Sequence, residues 1–262
     1  MNSNTNSNMN KANDGTSSNF NHSTACTFFE DACFNLKGKS SNVKISKYFD
    51  NDTQQLIEEL SEVRSEKIED VFIETGVLPV EVRVSDKNTF SFSFEGEAKA
   101  FSNFSLDIRE IGDKLIVRVF SPDTYFSFKE NVRLVATLPR RIYEEIEIFT
   151  TTGRIILDKE VVADQLDIRS IYGDIATKAS FKHAKFSSTG GNIRFIINAK
   201  AEIFVEADSD CGDIFAKLNN VSFLDLSHRS LSGKLENHHE DGLEGHKANI
   251  WITTVSGNTV IC

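Results

Sequence analysis

From residue 142 onward, apolar and polar positions alternate in short bursts that return on one phrase. It reads apolar-x-apolar, four residues, then Gly, a polar residue and usually an apolar one. Ile146-Glu147-Ile148 precedes Gly153-Arg154-Ile155, and Leu166-Asp167-Ile168 precedes Gly173-Asp174-Ile175. Ala184-Lys185-Phe186 leads to Gly191-Asn192-Ile193, and Ile250-Trp251-Ile252 to Gly257-Asn258. Two looser copies run Ile203-Phe204-Val205 to Gly212-Asp213-Ile214 and Phe223-Leu224-Asp225-Leu226 to Gly233-Lys234-Leu235. The glycines at 153, 173, 191, 212, 233 and 257 are therefore 20, 18, 21, 21 and 24 residues apart. Strand-like alternation on both sides of a recurring turn residue predicts stacked rungs of a β-solenoid. Ile148, Ile168, Phe186 and Ile252 form one predicted interior ladder, and Ile155, Ile175, Ile193, Ile214 and Leu235 another. The repeat glycines are expected to take positive φ at sharp turns, which only Gly adopts without penalty.

Upstream the alternation persists but the phrase fades. Val80-Val82-Val84, Phe90-Phe92-Phe94, Leu115-Val117-Val119 and Val132-Leu134-Ala136-Leu138 read as half-buried strands. Phe72-Ile73-Glu74-Thr75-Gly76 is a faint copy of the repeat. Residues 68–141 are thus a less regular β portion, either irregular solenoid turns or an antiparallel sheet, and 142–262 hold the regular repeats. The predicted class is all-β, a single-stranded parallel β-solenoid with one short helix. That helix falls over 52–67, where Asp52 and Gln55 resemble a capping box and Leu56, Ile57, Leu60 and Val63 share a face. It belongs to a leader segment, 25–67. Residues 1–24, rich in Asn and Ser, are expected to be disordered.

Composition narrows the function. A net charge of −10 opposes nucleic acid and anionic membrane surfaces. No run of 18 apolar residues is present to span a bilayer. The first residues lack a basic stretch followed by an apolar one, so a cytoplasmic location is expected. Cys26, Cys33, Cys211 and Cys262 make no disulfide framework and no zinc-ligand pairs, so reduced thiols are expected.

Candidate chemistry is sparse. The residues after each glycine form an outer ladder that includes Asp174 and Asp213, two rungs or about 9.6 Å apart. Paired carboxylates at such a distance suit an inverting glycosidase, but their neighbours Arg154, Asn192 and Lys234 make a charge-balanced stack the better reading. His238, His239 and His246 collect in one polar insertion and are candidates for a surface metal site. Nucleotide-binding and hydrolase motifs are absent. No cofactor is expected.

Leu138-Pro139, the run Ile146 to Gly153, the run Leu166 to Ile175 and Thr254-Val255-Ser256-Gly257-Asn258 carry a family resemblance. Over about 68–262 the chain resembles the bacterial "putative adhesin" domain family, related to the toast-rack β-solenoids of envelope-stress proteins. That resemblance implies a β-helix-like stack, no catalytic residues to carry over, and the cell envelope or surface as an alternative location. The expected function is a non-enzymatic binding or scaffold protein, with a carbohydrate-active enzyme on the same scaffold as the alternative. The last rung, with Trp251, Val260 and Ile261, is expected either to be an open end that takes a protein partner or a second copy, or to be covered by the charged insertion from Asn237 to Lys247.

Overall fold

The structure is a computed structural model. It describes residues 67–95, 105–120 and 132–262, together with the backbone of three short strands further upstream. The upstream strands are β1 (Leu36–Lys37), β2 (Ser46–Asp50) and β3 (Gln55–Glu59). Then come β4 (Asp70–Thr75), β5 (Val80–Ser85), β6 (Ser91–Glu95), β7 (Ser105–Ile111), β8 (Lys114–Phe120) and β9 (Arg133–Pro139). The repeats supply β10 (Ile142–Thr150), β11 (Ile155–Leu157), β12 (Val162–Ser170), β13 (Ile175–Thr177), β14 (Ser180–Ser188) and β15 (Ile193–Asn198). The chain continues with β16 (Ile203–Ser209), β17 (Ile214–Asn219), β18 (Val221–Ser230), β19 (Leu235–Asn237), β20 (His246–Thr254) and β21 (Thr259–Ile261). Among the described residues there is no helix.

Each repeat is one rung, a long strand before its glycine and a shorter one after it. The long strands form a nine-stranded sheet and the short ones a ten-stranded sheet. Rungs pair in parallel and in strict register, Ile148↔Ile168↔Phe186 in one sheet and Ile155↔Ile175↔Ile193↔Ile214 in the other. All seven side chains are buried, as is Ile252, and they form the core; Leu235, the last member predicted for the second ladder, is instead exposed on the end rung. Phe186 and Phe195 stack at 5.4 Å inside it.

The repeat glycines serve a purpose other than the one expected. Among the described residues positive φ occurs at Gly112, Gly245 and Asn220, none of them a repeat glycine. At the repeat positions the next rung's backbone lies against the missing side chain. A Cβ on Gly173 would sit 2.1 Å from the Gly153 carbonyl oxygen, one on Gly191 2.1 Å from that of Gly173, and one on Gly212 1.9 Å from that of Gly191. Close approach, not turn conformation, demands glycine here.

The upstream β portion turns out to contain both architectures left open by the sequence. β4–β5 and β8–β9 are two further parallel rungs, whereas β6, β7 and β1 pair antiparallel. The expected helix over 52–67 is corrected at Gln55–Glu59, a strand paired antiparallel with Ser46–Asp50. A helix of that length has little stability of its own. Asn51-Asp52-Thr53 suits a hairpin turn as well as it suits a helix cap. Residues 1–24, Cys26 and Cys33 lie outside the described residues.

The rungs are not stacked in chain order. In the long-strand sheet β20 lies between β16 and β18, and in the short-strand sheet β21 lies between β17 and β19. The rung expected to be the open end is therefore interior, and Val221–Asn237 supplies the last one. The upstream end shows the same exchange, since β4–β5 lies next to β10–β11 and β8–β9 lies beyond it. Core chemistry explains the downstream order. The ladder position of Ile148 is filled by Ile252 in β20 but by His228 in β18. Burial pushes the His228 imidazole pKa below its usual value, so this rung is better placed at the end, where the position is half open.

Candidate functional site

The outer ladder that could have carried chemistry is a hydrogen-bond ladder. Asp174 Oδ1 accepts from the Asn192 backbone N–H at 2.8 Å and from its side-chain amide at 3.0 Å. Asn192 Oδ1 accepts from the Asp213 N–H at 3.0 Å, and Asp213 Oδ1 from the Asn258 N–H at 2.7 Å. Asn258 Oδ1 then accepts from the Lys234 N–H at 3.1 Å. Each side chain satisfies a backbone donor of the next rung in space, which includes the exchanged pair. Asp174 also lies 3.8 Å from the Arg194 guanidinium. Burial lowers the pKa of Arg154, with Asp174 opposing that effect.

A second ladder escaped the sequence reading. Three residues before each repeat glycine stands a Ser or Thr: Thr150, Ser170, Ser188, Ser209, Ser230 and Thr254. The Ser170, Ser188, Ser209 and Ser230 hydroxyls accept from the N–H groups of Gly173, Gly191, Gly212 and Gly233 at 2.8–2.9 Å. Thr150 Oγ1 lies 2.6 Å from the Gly153 carbonyl oxygen and 2.9 Å from Ser170 Oγ. The signal was the spacing [ST]-x-x-G, which reads as composition until the turn is known to be buried. These hydroxyls satisfy polar groups that the glycine approach removes from water.

Asn192→Ala deletes both directions of the outer ladder at its centre. A loss of about 1–2 kcal/mol is expected from the missing hydrogen bonds, read as a modest fall in the thermal midpoint. An unchanged midpoint would show that the ladder contributes nothing.

The insertion histidines are not brought together as metal ligands. His238 faces Glu236 at 3.9 Å, His239 faces Asp241 at 3.7 Å, and His246 begins β20. Among the described residues no group of three His, Cys, Asp or Glu could hold a metal ion. Among the described residues neither Cys211 nor Cys262 forms a disulfide. Ile261 is fully buried in β21, which is paired on both edges, and Val260 is half-buried.

Trp251 instead belongs to the outward face of the nine-stranded sheet, where it is 45% exposed. A shallow groove of about 270 Å³ runs there across the rungs. One wall carries Gln165, His183 and Phe204, the other Asp167, Lys185, Glu206 and Trp251. His183 stacks on Phe204 at 5.0 Å and 7°, and Phe204 on Trp251 at 6.3 Å and 10°. The rings face one another like coins in a roll, so they turn their edges to solvent. Lys185 bonds Glu206 at 2.7 Å, and that bond raises its pKa. Arg169 pairs with Asp167. Glu145, at one end of the groove, has its pKa raised by burial and then by Glu147. The groove thus offers aromatic edges beside charges of both signs.

A family model described as Toastrack DUF4097 matches residues 61–261. The fold is similar to the crystal structure of a "putative cell adhesion protein" from Clostridium sporogenes, 12% identical, with a TM-score of 0.52 over 83% of this chain and 99% of that one. A "putative adhesin" from Bacteroides fragilis is 13% identical, with a TM-score of 0.45 over 79% of this chain and 97% of that one. No curated protein matches the chain.

Proposed function

Because the chain belongs to the Toastrack DUF4097 family, we propose that it works as a non-catalytic binding module, gripping a protein partner on the outward face of its nine-stranded sheet. The observation that carries this reading is the groove between the Gln165-His183-Phe204 wall and the Asp167-Lys185-Glu206-Trp251 wall. Aromatic residues beside a polar rim are the composition of protein contact surfaces. Phe204 stacks on both His183 and Trp251, so its ring faces are engaged by neighbouring rings and not left open to a sugar. The description of the Clostridium sporogenes neighbour as a cell adhesion protein is in keeping with a contact role. The two aspartates of the glycosidase alternative each accept backbone hydrogen bonds from the next rung, which favours structure over turnover.

A photo-reactive amino acid in place of Phe204 should cross-link a protein in intact cells. The same residue in place of Lys217, on the other sheet, should give no adduct. Equal labelling from both positions, or reducing ends released from polysaccharides by the purified protein, would overturn the proposal.

A further inference from the structure

Among the described residues neither an antiparallel strand nor a helix closes the downstream end of the stack. β18 pairs with β20 on one side only. Leu224 and Leu226, whose partners Ala248 and Ile250 are fully buried, remain partly buried, and Leu235 is 39% exposed. The insertion covers the start of this edge. The Leu224 N–H donates to Asp241 Oδ1 at 3.2 Å, and the Gly242 N–H donates to the Ser222 carbonyl at 3.0 Å. Backbone groups alternate sides along a strand, so Leu226 and His228 are the next residues to point their N–H and C=O away from β20.

From the order of side chains along that edge we infer that β18 pairs antiparallel with β18 of a second copy, about a two-fold axis through Ser227. Antiparallel pairing centred there sets Asp225 opposite Arg229 of the second copy, and Arg229 opposite its Asp225. Phe223 and Leu231, 53% and 84% exposed, flank these pairs. Each of the two charged positions meets its complement. Pairing centred one residue later would set Arg229 against Ser227 and Asp225 against Leu231. Parity also agrees. Leu226 and His228 become the hydrogen-bonded pairs, while Asp225 and Arg229 fall in the non-hydrogen-bonded pairs, whose side chains lie closest. Asp225 has only a 3.8 Å contact to Lys247, and Arg229 has no ion pair among the described residues.

The two-fold axis stands perpendicular to the sheet, so the nine-stranded sheets join edge to edge and the two cores meet end to end. Leu224, Leu226 and Leu235 of both copies are covered by that contact. Asp241 and Gly242 hold the place next to Ser222 and Leu224, so they limit the new ladder to its two central pairs.

Light scattering after size exclusion tests this with wild type, Asp225→Arg and Arg229→Asp. The wild type is expected at the mass of a dimer. Each variant alone faces its own like charges twice and should run as a monomer. An equimolar mixture of the two has opposite charges at all four positions and should return to the dimer mass, which also shows that both variants are folded. A monomeric wild type, variants that stay dimeric, or a mixture that stays monomeric would each overturn the inference. So would recovery of a different protein on this edge in place of the second copy.

Discussion

Gly191→Ala should cost at least about 4 kcal/mol, far beyond the range of an ordinary surface substitution. The new methyl group would sit 2.1 Å from the Gly173 carbonyl oxygen and 2.4 Å from its carbonyl carbon. Both atoms are backbone, held in register by the parallel pairing of β13 with β15 and β12 with β14. Relief would require the rungs to part, which breaks ladder hydrogen bonds on both sides and opens the Ser188 contact with the Gly191 N–H. Gly190→Ala is the internal control. Its nearest obstacle is the Tyr172 ring at 3.1 Å, a side chain 64% exposed that can swing away. Thermal melts of the two variants should differ by on the order of 10 °C, from about 2–4 °C per kcal/mol for a domain of this size. Similar midpoints would show that the rungs can separate cheaply and that contact does not dictate glycine.

Ile175→Asp should have an effect as large or larger, through burial rather than collision. Ile175 is fully buried between Ile155 and Ile193. A carboxylate there has no cation or donor within the ladder, so the chain must bury a charge or raise its pKa until it is neutral. Either route adds to the loss of the apolar contacts, and about 5 kcal/mol is expected in total. Lys200→Asp, at an exposed position between rungs, should move the midpoint by no more than a degree or two. Circular dichroism and melting of both proteins decide it. A folded Ile175→Asp protein with a wild-type midpoint would mean that the interior assignment is wrong.

Much of this fold was legible because period-two alternation and a repeated phrase carry the same message. Ile155, Ile175, Ile193 and Ile214 could be placed in one ladder from spacing alone. Rung order could not be read the same way, since every rung offers its neighbours the same backbone groups in the same register. The one local cue was His228, a polar residue at a position where the other rungs carry Ile, Phe, Val or Ala. The glycines were identified correctly but for the wrong reason, because a turn and a close approach leave the same mark in a sequence. Leu56 and Ile57 misled for a related reason, as adjacent apolar residues fit one helical stripe and one short strand alike. The groove was hidden differently. Gln165, His183 and Phe204 lie about a rung apart in sequence, and Trp251 joins them only because its rung moved inward.

The exchanged rung carries a consequence for how the protein is made. On a ribosome, residues 221–237 emerge before residues 246–261, yet their final place is further out. Until the later segment arrives, the open edges of β16 and β17 face a nascent β18–β19 whose backbone can occupy them. The chain must therefore either hold that position vacant or release a strand already paired there. Correct assembly is then a matter of timing, with the slow step late in synthesis. Refolding followed by pulsed hydrogen exchange should show β20 and β21 gaining protection after β10 to β15. Simultaneous protection of all these strands would show that the early segment never takes the wrong place.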